Sequence, residues 1–267
     1  MPNRITQAVI LSAGLGTRLR PLTNKIPKVM LPLQGKPLLE HHIEQLKKHG
    51  IREFFINLHY LPDVIKNYFG EGGKWDVKIY YAFEQEILGT AGGVKNFESA
   101  LADNFFIIYG DALYEINYEH LADFYFSHKD AVGMGTVRQT DHPWDSDLAV
   151  VDGGGRIVEF HIKPHKELPK SYFGMSAPYI FSKKILEYIP RGKYYEIDHN
   201  LVPDLLARGY HYYAYRLKED EFRKDIGTME RYKEVQEYVS NLKTEILKSS
   251  ISKQKPRPKT PQTKLRI

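Results

Sequence analysis

The chain has 267 residues, 42% hydrophobic and 27% charged, ordinary globular proportions that exclude wholesale disorder. It has no cysteine, which excludes a disulfide scaffold, a thiol nucleophile and cysteine-ligated zinc or iron–sulfur sites, and agrees with a cytoplasmic protein. The formal net charge of +5 belongs to one end: residues 248–267 carry seven basic side chains and no acidic one, and without them 31 basic residues face 33 acidic ones, a net of −2. With three prolines and little apolar content, that stretch is expected to be a solvated, disordered basic tail rather than an arm binding nucleic acid or membrane. Pro2, Asn3 and Arg4 lead into only a short apolar run, so no secretory signal is expected. No uncharged stretch nears the roughly 20 residues of a membrane span.

Strand and helix signals alternate through the first 110 residues. Gln7–Ser12 is an apolar run ended by glycines, as a buried parallel strand should be. Leu38, Leu39, Ile43 and Leu46 recur at helical spacing, and Gly50 supplies a stop. Arg52–Leu58 reads as a strand, Leu61–Phe69 as a short helix and Val77–Phe83 as a strand. Thr90–Leu101 reads as a helix with Thr90 as its N-cap, and Phe105–Tyr109 as a buried strand stopped at Gly110-Asp111.

The second half is expected to hold a helix near Tyr118–His128 and strands near Ala131–Arg138, Leu148–Val151 and Ile157–Phe160, with Asp152–Gly155 as a hairpin turn. A strand near Phe173–Phe181, helices near Lys183–Ile189 and Asp198–Arg208, a strand at Tyr210–Leu217 and an amphipathic helix at Met229–Leu247 follow. The pattern predicts one α/β domain: a Rossmann-like mixed, mainly parallel sheet with helices on both faces and a small β insertion. Ligands on such sheets gather at the carboxyl ends of the strands, where Gly14 and Asp111 fall.

Leu11–Leu19 (LSAGLGTRL) is the sharpest segment. Two glycines straight after a strand let the backbone approach a ligand and aim several N–H groups at one point, and Arg18 can then neutralise phosphate oxygens. No Gly-Lys-[Ser/Thr] follows, so this is no Walker loop, and Leu19 occupies the place of the third glycine of a dinucleotide fingerprint. A tight strand-to-helix turn is the plain alternative. Lys28, between Pro27 and Pro32, is a second cation near the loop, held rather than mobile. Asp111 and Asp225 come from distant segments, each near a glycine, and two such carboxylates can hold one magnesium ion; caps or turn residues are the bland reading of either.

Leu11–Thr23, Pro27-Lys28, Leu88–Gly93 (LGTAGG), Gly110-Asp111, Lys163-Pro164 and Asp225–Thr228 resemble, in order, the motifs of the sugar-1-phosphate nucleotidylyltransferases, or nucleotide-sugar pyrophosphorylases, over residues 6 to 238. The resemblance implies a nucleotidyltransferase of one domain over residues 1–247, with a nucleotide-binding half at 1–115 and a sugar-binding half and closing helix at 116–247. It implies that Leu11, Ala13, Gly14, Leu15, Gly16, Thr17 and Arg18 bind the nucleoside triphosphate, with Glu84, Gly89 and Thr90 about its base. Arg18, Lys28 and Asp111 would be the catalytic groups, and Asp111 and Asp225 would hold Mg2+. Gly110, Lys163 and Gly174 would bind the sugar phosphate. The implied partners are a nucleoside triphosphate and a sugar 1-phosphate, with no nucleic acid and no membrane span; a homodimer is compatible with it.

A carboxylate at Glu84 can accept from guanine N1–H and N2–H together but meets a single N3–H on uracil or thymine, which favours guanine. Glu84–Gly93 also looks most like guanylyltransferases acting on mannose or heptose 1-phosphates. The expectation is therefore GTP plus mannose 1-phosphate giving GDP-mannose. The alternatives are UTP- or dTTP-dependent transfer to a glucose or N-acetylated hexose 1-phosphate, a heptose-1-phosphate nucleotidyltransferase, and a non-catalytic nucleotide-sugar-binding homologue. Loss of Arg18, Lys28, Asp111 or Asp225 would mark that last reading, and all four are present. One departure concerns the sugar: the family's usual glutamate before Lys-Pro is Ile162, which cannot accept hydroxyl hydrogen bonds, leaving Glu159, His161 and Asp147 as candidates. Ala149 replaces a common glycine nearby, and no hexapeptide repeat follows residue 248, so a stand-alone catalytic domain is expected.

Overall fold

A computed structural model describes residues 4–252, with side chains to residue 242. Strand β1 (Gln7–Leu11) leads into a glycine-containing loop and three short 3-10 turns, at Thr17–Leu19, Leu22–Asn24 and Lys28–Met30. Strands β2 (Pro32–Leu33) and β3 (Lys36–Pro37) follow, then α1 (Leu38–Lys48), β4 (Glu53–Leu58), α2 (Pro62–Phe69), β5 (Lys78–Phe83), α3 (Gly89–Lys95) and β6 (Asn104–Tyr109). The second half holds β7 (Ala112–Glu115), α4 (Tyr118–Ser127), β8 (Ala131–Arg138), β9 (Leu148–Val151), β10 (Ile157–His161) and β11 (Phe173–Ser182). Next come a π-helical turn at Ile197–Leu201, α5 (Val202–Ala207), β12 (His211–Arg216), β13 (Phe222–Asp225) and α6 (Met229–Ser252).

The nine strands of the main sheet are where their apolar runs place them, whereas β2, β3, β7 and β13 are unexpected. α1 forms because Leu38, Leu39, Ile43 and Leu46 share one face, and all four are fully buried. Gly50, at φ +86°, ends the turn beyond it in a conformation that favours glycine.

Nine strands make one sheet, in the order β10-β9-β11-β6-β1-β4-β5, with β8 on β11 and β12 on β8. The pairings β1·β4, β1·β6, β4·β5 and β8·β12 are parallel, and β6·β11, β8·β11, β9·β11 and β9·β10 are antiparallel. Followed through, seven strands point one way and only β10 and β11 run against them. The mixed, mainly parallel sheet is therefore as expected.

Two cores hold the fold. The larger packs helices against the sheet around residues such as Phe54, Phe105, Ile108 and Tyr179. The smaller unites Leu19, Leu31, Leu33, Leu113, Ile226, Tyr232 and Val235 from the glycine loop, the β2·β3 hairpin, β7, β13 and α6. Leu19 follows Arg18 and Ile226 follows Asp225, so this cluster fixes the loop arginine against the strand that carries the second carboxylate.

Four expectations change. α3 stops at Lys95 rather than Leu101, and residues 96–101 continue in tight turns that bury Phe97 and Leu101. Thr90 is not its N-cap: Leu88 holds that place, and Thr90 Oγ1 instead accepts from the Ile197 amide at 2.7 Å. Asp225 lies at the end of a strand rather than in a cap or turn, because β13 pairs antiparallel with β7 and sets Asp225 opposite Ala112. α6 runs past residue 247 to Ser252, and the tail expected beyond it lies outside the described residues.

Candidate active site

β1 and β6 are parallel neighbours whose last residues, Leu11 and Tyr109, stand level. The Gly110 amide donates to the Leu11 carbonyl at 2.9 Å, so the chain leaving β6 passes directly beside the chain leaving β1. A Cβ on Gly110 would sit 2.7 Å from that carbonyl and 3.0 Å from Ser12 Oγ, which leaves room for glycine alone. Gly110 is therefore buried behind the site and lines neither cavity described below, contrary to its expected place on the sugar phosphate. His42 backs the same turn: its Nε2 lies 3.3 Å from the Gly110 carbonyl, and burial pushes its pKa down to about 4.

The glycine loop is pinned at one end and open at the other. Gly16 sits at φ +65°, and the Thr23 hydroxyl donates to its carbonyl at 2.8 Å. Around Gly14 an added Cβ would meet nothing within 4 Å. The loop bends about a cavity of about 500 Å³, lined by Leu11, Ala13, Gly14, Leu15, Gly16, Thr17 and Arg18. Lys28, Gly89, Thr90 and Asp111 complete that wall, with Tyr194 and Glu196 among the other residues on it. Lys28 is only 8% exposed, and its ammonium lies 2.6 Å from Asp111 Oδ2.

Glu84 does not join them. It is 2% exposed; its Oε1 accepts from Asn57 Nδ2 at 2.8 Å and its Oε2 from the Leu88 amide at 3.0 Å. Asn57 Oδ1 in turn accepts from the Ser12 amide at 2.7 Å. Glu84 is thus one end of a buried relay tying the start of the glycine loop to the 84–88 loop, and its carboxylate is spent on internal donors. The bidentate contact to guanine expected of it is not made available here. The glycines of Leu88–Gly93 have a packing reason too. The Ala91 and Gly92 amides both donate to the Tyr195 carbonyl at 2.9 Å, and a Cβ on Gly93 would lie 2.6 Å from Asn57 Nδ2.

A second cavity, of about 770 Å³, opens from the first and shares Tyr109 and Asp111 with it. Lys163, Gly174 and Asp225 line it, so the expected sugar-phosphate lysine and the second carboxylate face one space. The Lys163 ammonium donates to the Asp145 carbonyl at 3.1 Å. Of the three candidates for the sugar hydroxyls, Asp147 is on the wall and accepts from the Lys163 amide, with His199 Nε2 3.2 Å away. Glu159 and His161 pair with each other at 2.9 Å away from that wall.

Asp111 and Asp225 carry carboxylates that are each 41% exposed. The Gly227 amide and the Arg231 guanidinium hold the Asp225 pKa below its ordinary value, outweighing the opposing effect of burial. Among the described residues no group of three or more His, Cys, Asp or Glu could hold a metal alone. Two oxygen-donor side chains beside a phosphate-sized space suit magnesium, which completes its shell with water and phosphate oxygens.

Sequence reasoning missed several residues on these walls. Tyr109 donates to Asp198 Oδ2 at 2.9 Å, and Tyr179 donates to the same carboxylate at 2.7 and 2.8 Å. Burial raises the Asp198 pKa to about 6 against the opposing tyrosine hydrogen bonds, with Asp147 adding to the rise. Asn57, Arg138 and Arg223 also lie on cavity walls. No local pattern marked them, since each gains its place from a strand pairing or turn far away in sequence.

A family model described as nucleotidyl transferase matches residues 7–241. The UTP–glucose-1-phosphate uridylyltransferase of Synechocystis sp. is 33% identical over 242 residues, covering 85% of this chain and 61% of its own. The mannose-1-phosphate guanylyltransferase of Mycobacterium tuberculosis is 31% identical over 233 residues, covering 87% of this chain and 64% of its own. This chain thus spans under two thirds of the length of both relatives. The crystal structure of HddC from Yersinia pseudotuberculosis superposes with a TM-score of 0.71 at 28% identity, covering 88% of this chain and 99% of that one. Among the described residues no helix is long and apolar enough to cross a membrane.

Proposed function

The chain belongs to the nucleotidyl transferase family, and we propose that it transfers a nucleotidyl group from a nucleoside triphosphate to a sugar 1-phosphate, releasing pyrophosphate. The observation that carries this reading is the junction of two cavities at Asp111, one walled by a glycine loop and two cations, the other by Lys163 and a second carboxylate. A phosphate oxygen of the sugar attacks the α-phosphorus in line; the new P–O bond forms as the bond to pyrophosphate breaks. The nucleophile arrives already ionised, so no protein base or covalent intermediate is required. The chain's work is to hold two polyanions together and to meet the charge that develops. Loop amides about Gly14 and the Arg18 guanidinium take the triphosphate. Lys28 faces the α-phosphorus and leaving pyrophosphate, and Lys163 anchors the incoming phosphate. Asp111 and Asp225 would hold magnesium, which when bound neutralises phosphate charge.

For the donor we propose GTP, and for the acceptor a manno-configured sugar 1-phosphate with mannose 1-phosphate as the parent compound. The likeness to the guanylyltransferase of Mycobacterium tuberculosis supports this, as does a 40% identical stretch of 115 residues shared with a D-glycero-α-D-manno-heptose 1-phosphate guanylyltransferase of Campylobacter jejuni, covering 43% of this chain and 52% of its own. UTP is the second reading, favoured by the likeness to the Synechocystis enzyme. Glu84 has no part in this choice. Pyrophosphate release from GTP, UTP, dTTP, CTP and ATP, each crossed with mannose, glucose, N-acetylglucosamine and heptose 1-phosphates, tests the assignment. GTP with a manno-configured acceptor should give the highest kcat/KM; absence of turnover with every pair would overturn the reaction class.

A further inference from the structure

The second cavity wall holds more acids than bases, and several of its charges are paired. Lys28 holds Asp111, Arg231 holds Asp225, Lys224 holds Glu234 and His199 faces Asp147. Three cations on its wall have no carboxylate partner among the described residues: Lys163, assigned above to the 1-phosphate, and the pair Arg138 and Arg223. Arg138 Nη1 donates to the Arg223 carbonyl at 3.0 Å. Arg223 Nη1 reaches Thr136 Oγ1 at 3.3 Å and the Ala177 carbonyl at 3.5 Å, leaving most of its five donors without a partner among the described residues. Two guanidinia on one cavity wall repel, and drawing either out of water costs free energy unless an anion arrives.

Position says where that anion sits. Arg223 and Asp225 are two apart on β13 and so share a strand face, both on the cavity wall. Arg138 ends β8 opposite Gly174 on β11, so no side chain from that partner covers it. Lys163 lies across the cavity in the loop after β10 and serves the 1-phosphate in the reading above.

We propose that Arg138 and Arg223 form a second anion seat, and that the preferred acceptor is a sugar 1-phosphate bearing a further oxyanion, a carboxylate or a second phosphate. This inference rests on the proposed nucleotidyl transfer and narrows its acceptor. An arginine fork suits planar or tetrahedral oxyanions alike, since both present two oxygens at the right spacing. It also gives Ile162 a meaning: selection rests on a charge elsewhere on the sugar rather than on a carboxylate accepting from its hydroxyls.

The test compares mannose 1-phosphate, mannuronic acid 1-phosphate and mannose 1,6-bisphosphate, in steady-state turnover with GTP and UTP and in calorimetric binding to the full chain. The expected result is a kcat/KM at least tenfold higher for one acidic acceptor than for mannose 1-phosphate, expressed in KM. Carboxylate and phosphate are told apart by which of the two compounds gains. Arg223→Gln should abolish that preference while leaving kcat/KM for mannose 1-phosphate within about threefold, and Arg223→Lys should restore part of it. Equal affinity of the three compounds for the unmodified chain would overturn the seat. So would an Arg223→Gln chain that loses all three acceptors alike, which would make the arginine a ligand of the 1-phosphate or a strut between sheets. Calorimetry reads the seat even if no pair turns over, so failure of the reaction and failure of the seat are separate outcomes.

Discussion

Lys28 and Asp111 are 83 residues apart in sequence, and the lysine ammonium lies 2.6 Å from the aspartate Oδ2. The two are unequally exposed: the lysine side chain is 9% accessible and the carboxylate 41%. The cation is therefore held from below, by the 3-10 turn after Pro27, while the carboxylate opens onto both cavities. Each donor and acceptor is oriented before any ligand arrives, which is the arrangement that lets a fixed charge act on a reaction without reorganising.

Replacing Lys28 removes that fixed cation from the point where both cavities meet. Lys28→Met keeps the stem's volume and should lower kcat by about 100- to 1,000-fold, the range for loss of one preorganised charge. Sugar 1-phosphate affinity should change little, because Lys163 is the residue proposed for that end. Stopped-flow pyrophosphate release beside circular dichroism would check it; a kcat within threefold of the unmodified chain would remove Lys28 from the catalytic groups.

Asp111→Asn and Asp225→Asn bear on the magnesium ion. Each should need at least ten times more magnesium for half-maximal rate and lose most of the turnover at saturation, with the fold retained. For Asp225 the loss should exceed that of Arg231→Gln, because Arg231 only touches the carboxylate that is proposed as the donor to metal. Near-normal magnesium dependence in both aspartate variants would refute the metal assignment.

Much of this site could be read from residues alone, and the unread part shares one cause. The glycine loop, Lys28, Asp111 and Lys163 stand out because each lies in a short contiguous segment with its own backbone logic. Asp225 was legible as a residue but not as a strand end: FRKD has no apolar alternation, and β13 exists because β7 lies beside it. Glu84 misled because its environment is made by Asn57 on β4 and the Leu88 amide, so a carboxylate that looks free in sequence is consumed in the fold. Gly92 and Gly93 look like ligand-approach glycines yet are needed where Lys193–Tyr195 and Asn57 pack against them, contacts set by long-range topology.

That burial yields a prediction about base choice. Glu84→Gln can accept one of the two hydrogen bonds but must turn an NH2 group toward the other donor, so it should destabilise the fold by about 1–3 kcal/mol. The ranking of GTP, UTP, dTTP and CTP by kcat/KM should stay as it is in the unmodified chain. Urea unfolding and a donor-competition assay read the two separately. A changed donor ranking with unchanged stability would put Glu84 against the base after all.

Asp198 links the second cavity to stability through pH. Burial lifts its pKa from 3.8 to about 6, although two tyrosine hydroxyls donate to it. A carboxyl with a raised folded-state pKa stabilises the fold fully below its unfolded value and loses that contribution as pH rises through the folded value. Ionising this group in place therefore costs stability over pH 4 to 7, by up to about 3 kcal/mol. Asp198→Asn removes the titration, so its stability relative to the unmodified chain should improve steadily across that window and level off above pH 7. Urea unfolding at pH 4, 5, 6 and 7 measures the difference, and an offset constant with pH would show that Asp198 ionises as readily in the fold as in water. The steep outcome would mean that the wall of the second cavity keeps a carboxylate at a cost to stability, as functional surfaces commonly do.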